Sequence, residues 1–177
     1  MKELSSLTSK KQKLARIIRV NQAGEYGAKR IYMGQLAVLR NHKEIRHMLE
    51  QELEHLDYFD KQVRMRKVRP TFLQPLWHVG GFALGAITAL MGEKAAMACT
   101  VAVEEVIGEH YEHQLGELKQ VQGESDLTKN IAKFKDEELE HKDKGLEHGA
   151  EEAVCYNTLK GAIKVITKVA IFLSKRI

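Results

Sequence analysis

The chain has 177 residues, a formal net charge of +4, 44% hydrophobic and 29% charged residues, and two prolines. That length suits one domain, residues 1–177, with a substantial buried core, and the composition is ordinary for a globular protein. Cys99 and Cys155 stand alone, which excludes a disulfide framework or a CxxC motif, and no glycine pattern for a flavin or nucleotide is present. Both cysteines are expected to be structural thiols in a reduced compartment.

Short strand-like runs are missing, and Glu, Lys, Leu and Ala favour helices, so an all-α fold is expected. The opening MKELSSLTSKKQKLARIIRV lacks the apolar core of a secretory signal, and helical periodicity starts too early for a transit peptide. A first helix is expected over about residues 10–40. Asn41 and Glu44 read as a capping box opening a second helix, which runs to about residue 66. Pro70 and Pro75 interrupt the chain, and Pro75 suits the first turn of an apolar helix over residues 76–91. Gly92 marks a break before a helix over 93–121, residues 123–126 form a turn, a further helix runs to 148, and a last one occupies 150–174.

Positions offset by 3, 4, 7, 11 and 14 share a helical face, because successive residues turn by about 100°. On the first helix Leu14, Ile18, Tyr32, Leu36 and Leu39 centre on Glu25. On the second, Ile45, Met48, Leu56, Phe59 and Val63 surround Glu52. Met97, Tyr111, Leu115 and Leu118 surround Glu104, and Leu127, Ile131 and Phe134 accompany Glu138. Burying one ionised carboxylate costs several kcal/mol unless it is paired or binds a metal. Glu52 and Glu138 each carry a histidine three residues on, His55 and His141, on the same face. One Glu on each of two helices and Glu-x-x-His on each of the other two is the ligand set of ferritin-like dinuclear carboxylate proteins, and oxygen-rich ligands with one imidazole per metal suit iron or manganese. The expected fold is therefore a ferritin-like four-helix bundle with an additional apolar interfacial segment and a C-terminal helix.

Glu54, Glu105, Glu137 and Glu140 lie about 100° or more from the metal-facing stripe, which suits solvent or an outer contact. His42, His47, His113 and His148 are expected on polar faces, and His78 sits within the apolar segment. Tyr32 and Tyr111 share faces with the carboxylates, either to hydrogen-bond them or as plain core. Residues 61–92 contain no acid, and Lys61, Arg64, Arg66, Lys67 and Arg69 precede the apolar run. The stretch 158–177 repeats the trend with Lys160, Lys164, Lys168, Lys175 and Arg176. Basic residues framing apolar helices point to an anionic membrane surface as a partner.

Ala23-Gly24-Glu25-Tyr26-Gly27-Ala28, residues 96–105 (AMACTVAVEE) and Asp136-Glu137-Glu138-Leu139-Glu140-His141 closely resemble the demethoxyubiquinone hydroxylase family of ubiquinone biosynthesis. Arg69-Pro70-Thr71, Pro75-Leu76-Trp77, residues 81–86 and Val169-Ala170-Ile171 extend the similarity over nearly the whole chain beyond its first dozen residues. The resemblance implies two iron ions held by Glu25, Glu52, His55, Glu104, Glu138 and His141, with Glu52 and Glu138 bridging and Glu104 preferred over Glu105. It implies a role near the metals for the pair His110-Tyr111. At residue 109 the chain departs from the family pattern, with Glu in place of His, so no role is carried over to it.

The implied activity is O2-dependent hydroxylation of a polyprenylated methoxy-methyl-benzoquinone at its one unsubstituted ring carbon, with NADH as reductant. The implied setting is the cytoplasmic face of a bacterial inner membrane, or the matrix face of the mitochondrial inner membrane in a eukaryote, and the short N-terminus fits the bacterial case. Ubiquinone-biosynthesis accessory proteins and a homo-oligomer stand among the implied partners, and no nucleic acid does. Two rivals use the same features: an iron-storage protein would mineralise iron in a soluble cage, and a helical membrane adaptor would hold no stoichiometric iron.

Overall fold

The computed structural model describes residues 2–176, with side chains from Ser9 onward. Among them it contains six α-helices and no strand: α1 (Lys2–Val38), α2 (Lys43–Arg66), α3 (Gln74–Leu90), α4 (Glu93–Leu118), α5 (Ser125–Glu147) and α6 (Tyr156–Ser174). The short α1–α2 and α4–α5 connections make two antiparallel hairpins, and these pair into the expected ferritin-like bundle. α3 packs along α1 and α6 along α4, so both added helices lie over the α1–α4 seam.

Four details differ from the sequence expectation. α1 begins at Lys2 and ends at Val38. The cap of α2 is His42, whose ring accepts from the Ile45 amide, not Asn41 with Glu44. The last helix is broken: a 3-10 turn at Ala150–Glu152 follows Gly149, and α6 starts only after Cys155 takes a left-handed conformation at φ 55°. The break lets Ala150 and Ala153 bury against Ala95, Met97 and Ala98 at the start of α4. It also leaves Cys155 exposed, so only Cys99 fits the expected buried thiol.

The core divides into two apolar clusters at different levels of the bundle. One gathers Leu14, Ile18, Phe59, Tyr111, Leu118, Leu127, Ile131 and Phe134; the other gathers Tyr32, Ile45, Met48, Met97, Ala98 and Val101. On α1 and α2 the stripe carboxylate falls between members of the two clusters: Glu25 between Ile18 and Tyr32, and Glu52 between Met48 and Phe59. α3 reaches α1 at unusually close range. A Cβ on Gly85 would stand 1.9 Å from the Ile31 carbonyl oxygen, and one on Gly34 would stand 2.2 Å from that of Phe82. Glycine is required at both places because backbone meets backbone.

Between α1, α3, α4 and α6 lies an apolar cavity of about 430 Å³, lined in part by Gly24, Gly27, Leu84, Val103, Ile107 and Ile166. The indole of Trp77 donates to the Ser174 hydroxyl at 3.1 Å, tying α3 to the end of α6. Glu105 and Glu109 on α4 hold α6 by ion pairs: Glu105 to Lys160 and Lys164, Glu109 to Lys164 and Lys168. Glu105 therefore faces α6, and the acid at residue 109 serves the same contact.

Candidate metal centre

α1 contributes Glu25, α2 contributes Glu52 and His55, α4 contributes Glu104, and α5 contributes Glu138 and His141, none more than 1% exposed. They form two overlapping groups: Glu25, Glu52, His55 and Glu138; and Glu52, Glu104, Glu138 and His141. Within each group the donor atoms lie within 4.8 Å of one another. Glu52 and Glu138 belong to both, the position a bridging carboxylate must take. His55 Nδ1 is 3.5 Å from Glu25 and 3.3 Å from Glu138, and His141 Nδ1 is 3.1 Å from Glu138 and 3.4 Å from Glu52. Neighbouring ligands of one ion with bonds of ~2.1 Å sit roughly 3.0–3.5 Å apart, a separation that these four imidazole–carboxylate pairs match.

The electrostatics point the same way. Burial, then repulsion from Glu138, lifts Glu52 and Glu104 well above the usual carboxylate range. Against the effect of burial, the nearby His141 and His55 rings hold Glu138 down to about 2. His55, also against burial, is pushed up to about 12 by Glu138 and Glu25, and His141 is raised by Glu138. Glu25 Oε2, both oxygens of Glu52, Glu104 Oε2, Glu138 Oε1 and His55 Nδ1 are buried and make no hydrogen bond. Four carboxylates and two neutral imidazoles carry a charge that two divalent cations cancel, so the donor set fits a pair of metal ions.

The sequence matches the family described as Ubiquinone biosynthesis protein COQ7 over residues 12–174. The chain belongs to that family. Among COQ7-family relatives, the 3-demethoxyubiquinol 3-hydroxylase of Rhodospirillum rubrum is 55% identical over 166 residues, 92% of this chain and 77% of that protein. The NADPH-dependent 3-demethoxyubiquinone 3-hydroxylase, mitochondrial, of Dictyostelium discoideum is 50% identical over 181 residues, 100% of this chain and 83% of that protein. The human protein of the same name is 53% identical over 167 residues, 92% of this chain and 77% of its own.

In this COQ7-family chain the six stripe residues converge as the sequence implied. Tyr111 donates to Glu25, and Tyr32 donates to Glu104 at 2.6 Å, which decides both tyrosines as hydrogen-bond partners of carboxylates. His110 stands apart from both metal groups. Its Nε2 accepts from Gln114 at 2.8 Å, Gln114 in turn pairs with Asn21, and burial pushes its imidazole down to about 3. Glu137, expected off the stripe, meets His55 Nε2 at 2.9 Å.

Gln51, which periodicity does not single out, meets His141 Nε2 at 3.0 Å. The available signal was position: each stands immediately before a Glu-x-x-His glutamate. His42 and His148 share Glu93 at the surface, at 3.1 and 3.2 Å. Because His42 Nδ1 caps α2 and Nε2 faces Glu93, this trio is a clasp between helix ends. His78 accompanies Tyr26, with 2.6 Å between Nδ1 and the hydroxyl, and joins α3 to α1.

Proposed function

We propose that this chain, acting as a single domain, is a two-iron monooxygenase that hydroxylates a polyprenylated demethoxyubiquinone. The observation that carries the reading is the enclosure of four carboxylates and two imidazoles, with inward-facing atoms free of hydrogen bonds, beside an apolar cavity. Glu25, Glu52, His55, Glu104, Glu138 and His141 would hold the two ions, and bound iron supplies the redox chemistry that activates O2. The names of the COQ7-family relatives supply the substrate class.

The chain's own residues then have separable tasks. Tyr111 and Tyr32 fix one oxygen of Glu25 and of Glu104, leaving the other oxygen of each for metal. Glu137 and Gln51 accept from the outer nitrogens of His55 and His141, so both rings present Nδ1 inward. The two apolar clusters keep water from the centre above and below. Gly24, Gly27, Val103 and Ile107 leave room at the α1–α4 seam for a flat ring beside the helices that carry Glu25 and Glu104. His110, held neutral by burial, is suited to pass a proton only by exchanging tautomers, not as an imidazolium.

The cavity opens between α3 and α6, where the lining residues Ile87 and Ile166 are exposed. Leu76, Val79, Leu90, Val165, Val169 and Phe172 extend the exposed apolar surface on those helices. No helix among the described residues is long and apolar enough to cross a membrane. We read α3 and α6 as the face that rests on a membrane, admitting the ring while the isoprenoid tail stays in lipid. In a bacterium that surface is the cytoplasmic face of the inner membrane, and in a eukaryote the matrix face of the mitochondrial one. Electrons come from a reduced nicotinamide; the sequence reading points to NADH and the names of the Dictyostelium and human relatives to NADPH. Turnover with each reductant separates them.

The test is quinone analysis of cells in which Glu138→Ala replaces the wild-type chain. Accumulation of the demethoxy precursor with loss of ubiquinone, at normal protein level, is the expected result. Normal ubiquinone overturns the hydroxylase reading.

A further inference from the structure

We propose that the two metal positions are inequivalent, the one built on Glu25 and His55 binding a divalent ion more tightly than the one built on Glu104 and His141. The proposal rests on the two-metal reading above and goes beyond it.

The site is close to twofold in its contacts. Each position has a terminal carboxylate that accepts from a buried tyrosine, Glu25 from Tyr111 and Glu104 from Tyr32. Each shares Glu52 and Glu138 with the other. Each has one histidine, three residues after a shared glutamate, with Nδ1 facing inward. The match fails at the outer nitrogens. His55 Nε2 meets the Glu137 carboxylate at 2.9 Å, whereas His141 Nε2 meets the Gln51 amide oxygen at 3.0 Å. Glu137 and Gln51 occupy the same place in the repeat, directly before Glu138 and Glu52. The two halves therefore differ here by one formal charge.

That charge acts through the ring. A carboxylate accepting the Nε2–H draws the proton away from the imidazole, which makes Nδ1 a stronger donor; a neutral amide does so far less. Lys133 lies 3.3 Å from the second oxygen of Glu137 and keeps the carboxylate aimed. Glu137 is thus a positioning and polarising residue, and the His55 position fills first. Loss of such an outer partner lowers metal affinity roughly 10- to 100-fold.

The experiment is anaerobic Fe2+ titration of the full chain by equilibrium dialysis. The wild type is expected to bind two Fe2+ in separate steps, with His141→Gln retaining the tight step and His55→Gln losing it. Glu137→Gln should weaken the tight step by about 10- to 100-fold, and Glu137→Asp should restore part of it. Gln51→Glu should tighten the weak step, and the double exchange Glu137→Gln/Gln51→Glu should return two steps in reversed order. The near-isosteric replacements preserve packing, which helical circular dichroism verifies. One shared affinity in the wild type, or an unchanged first step in Glu137→Gln, overturns the inference. Binding of fewer than two Fe2+ by the wild type refutes the two-metal reading itself.

Discussion

Replacing Gly85 by alanine should destabilise the protein, although glycine to alanine in a helix ordinarily does the reverse. The new Cβ would lie 1.9 Å from the Ile31 carbonyl oxygen, and ordinary contact begins near 3.4 Å. α3 must therefore back away from α1 by about 1.5 Å, the difference between those two distances, because the obstacle is backbone and has no rotamer to change. Overpacking of this kind costs roughly 1–3 kcal/mol, and a backbone obstacle belongs at the upper end. Alanine's better helix propensity returns about 1 kcal/mol, leaving a net loss of about 2 kcal/mol. For a chain of this size that lowers Tm by roughly 4–8 °C. Thermal and urea unfolding followed at 222 nm measures it, with Gly161→Ala as control. Nothing lies within 4 Å of a Cβ at Gly161, and that variant should gain up to about 1 kcal/mol. A Gly85→Ala protein as stable as the Gly161→Ala control would refute the close packing of α3 on α1.

His110 should remain neutral from pH 5 to 8, seen as imidazole nitrogen shifts that do not titrate, because burial lowers it to about 3. Its folded pKa lies below the unfolded value near 6.5, so its stabilising contribution is complete above pH 6.5 and is lost as pH falls below it. His110→Gln should remove about 2 kcal/mol of the stability lost between pH 7 and pH 5, as read by urea unfolding. In native protein Cys155 should react with a thiol reagent while Cys99, buried and pushed up to about 12, reacts only after denaturation. Sedimentation with anionic vesicles should recover the protein at low salt and release it as salt rises. Val169→Glu with Phe172→Glu, two exposed positions on α6, should abolish that recovery.

Helical periodicity sufficed for the six inward residues because the same face that finds the core finds a carboxylate misplaced within it. It also placed α3 and the turn after α4 to within a few residues. It left Glu137 open between solvent and an outer contact and gave no sign of Gln51, since their task depends on a ring that arrives from the opposite hairpin. A single-helix projection sees both merely as residues off the stripe. The cap of α2 departs from the local pattern for a similar reason: Asn41 and Glu44 satisfy that pattern, but His42 is held in place by Glu93 from α4. No proline or glycine lies between residues 150 and 160, so no breaker residue announces the break before α6. It arises because burying Ala150 and Ala153 against α4 redirects the backbone. The resemblance placed His110 beside Tyr111, yet on a helix adjacent residues diverge, and only Tyr111 reaches a carboxylate.

Glu25, Glu52 and His55 come from the first hairpin, and Glu104, Glu138 and His141 from the second. No contiguous half of the chain owns a complete metal position, because each position takes donors from both hairpins. During synthesis an emerging polypeptide cannot assemble the pair until His141 has left the ribosome, by which time α1 through α4 are already outside. On the proposed two-iron reading, a redox-active ion would thereby be kept off a partly made, water-exposed protein, where its oxygen chemistry would damage the chain.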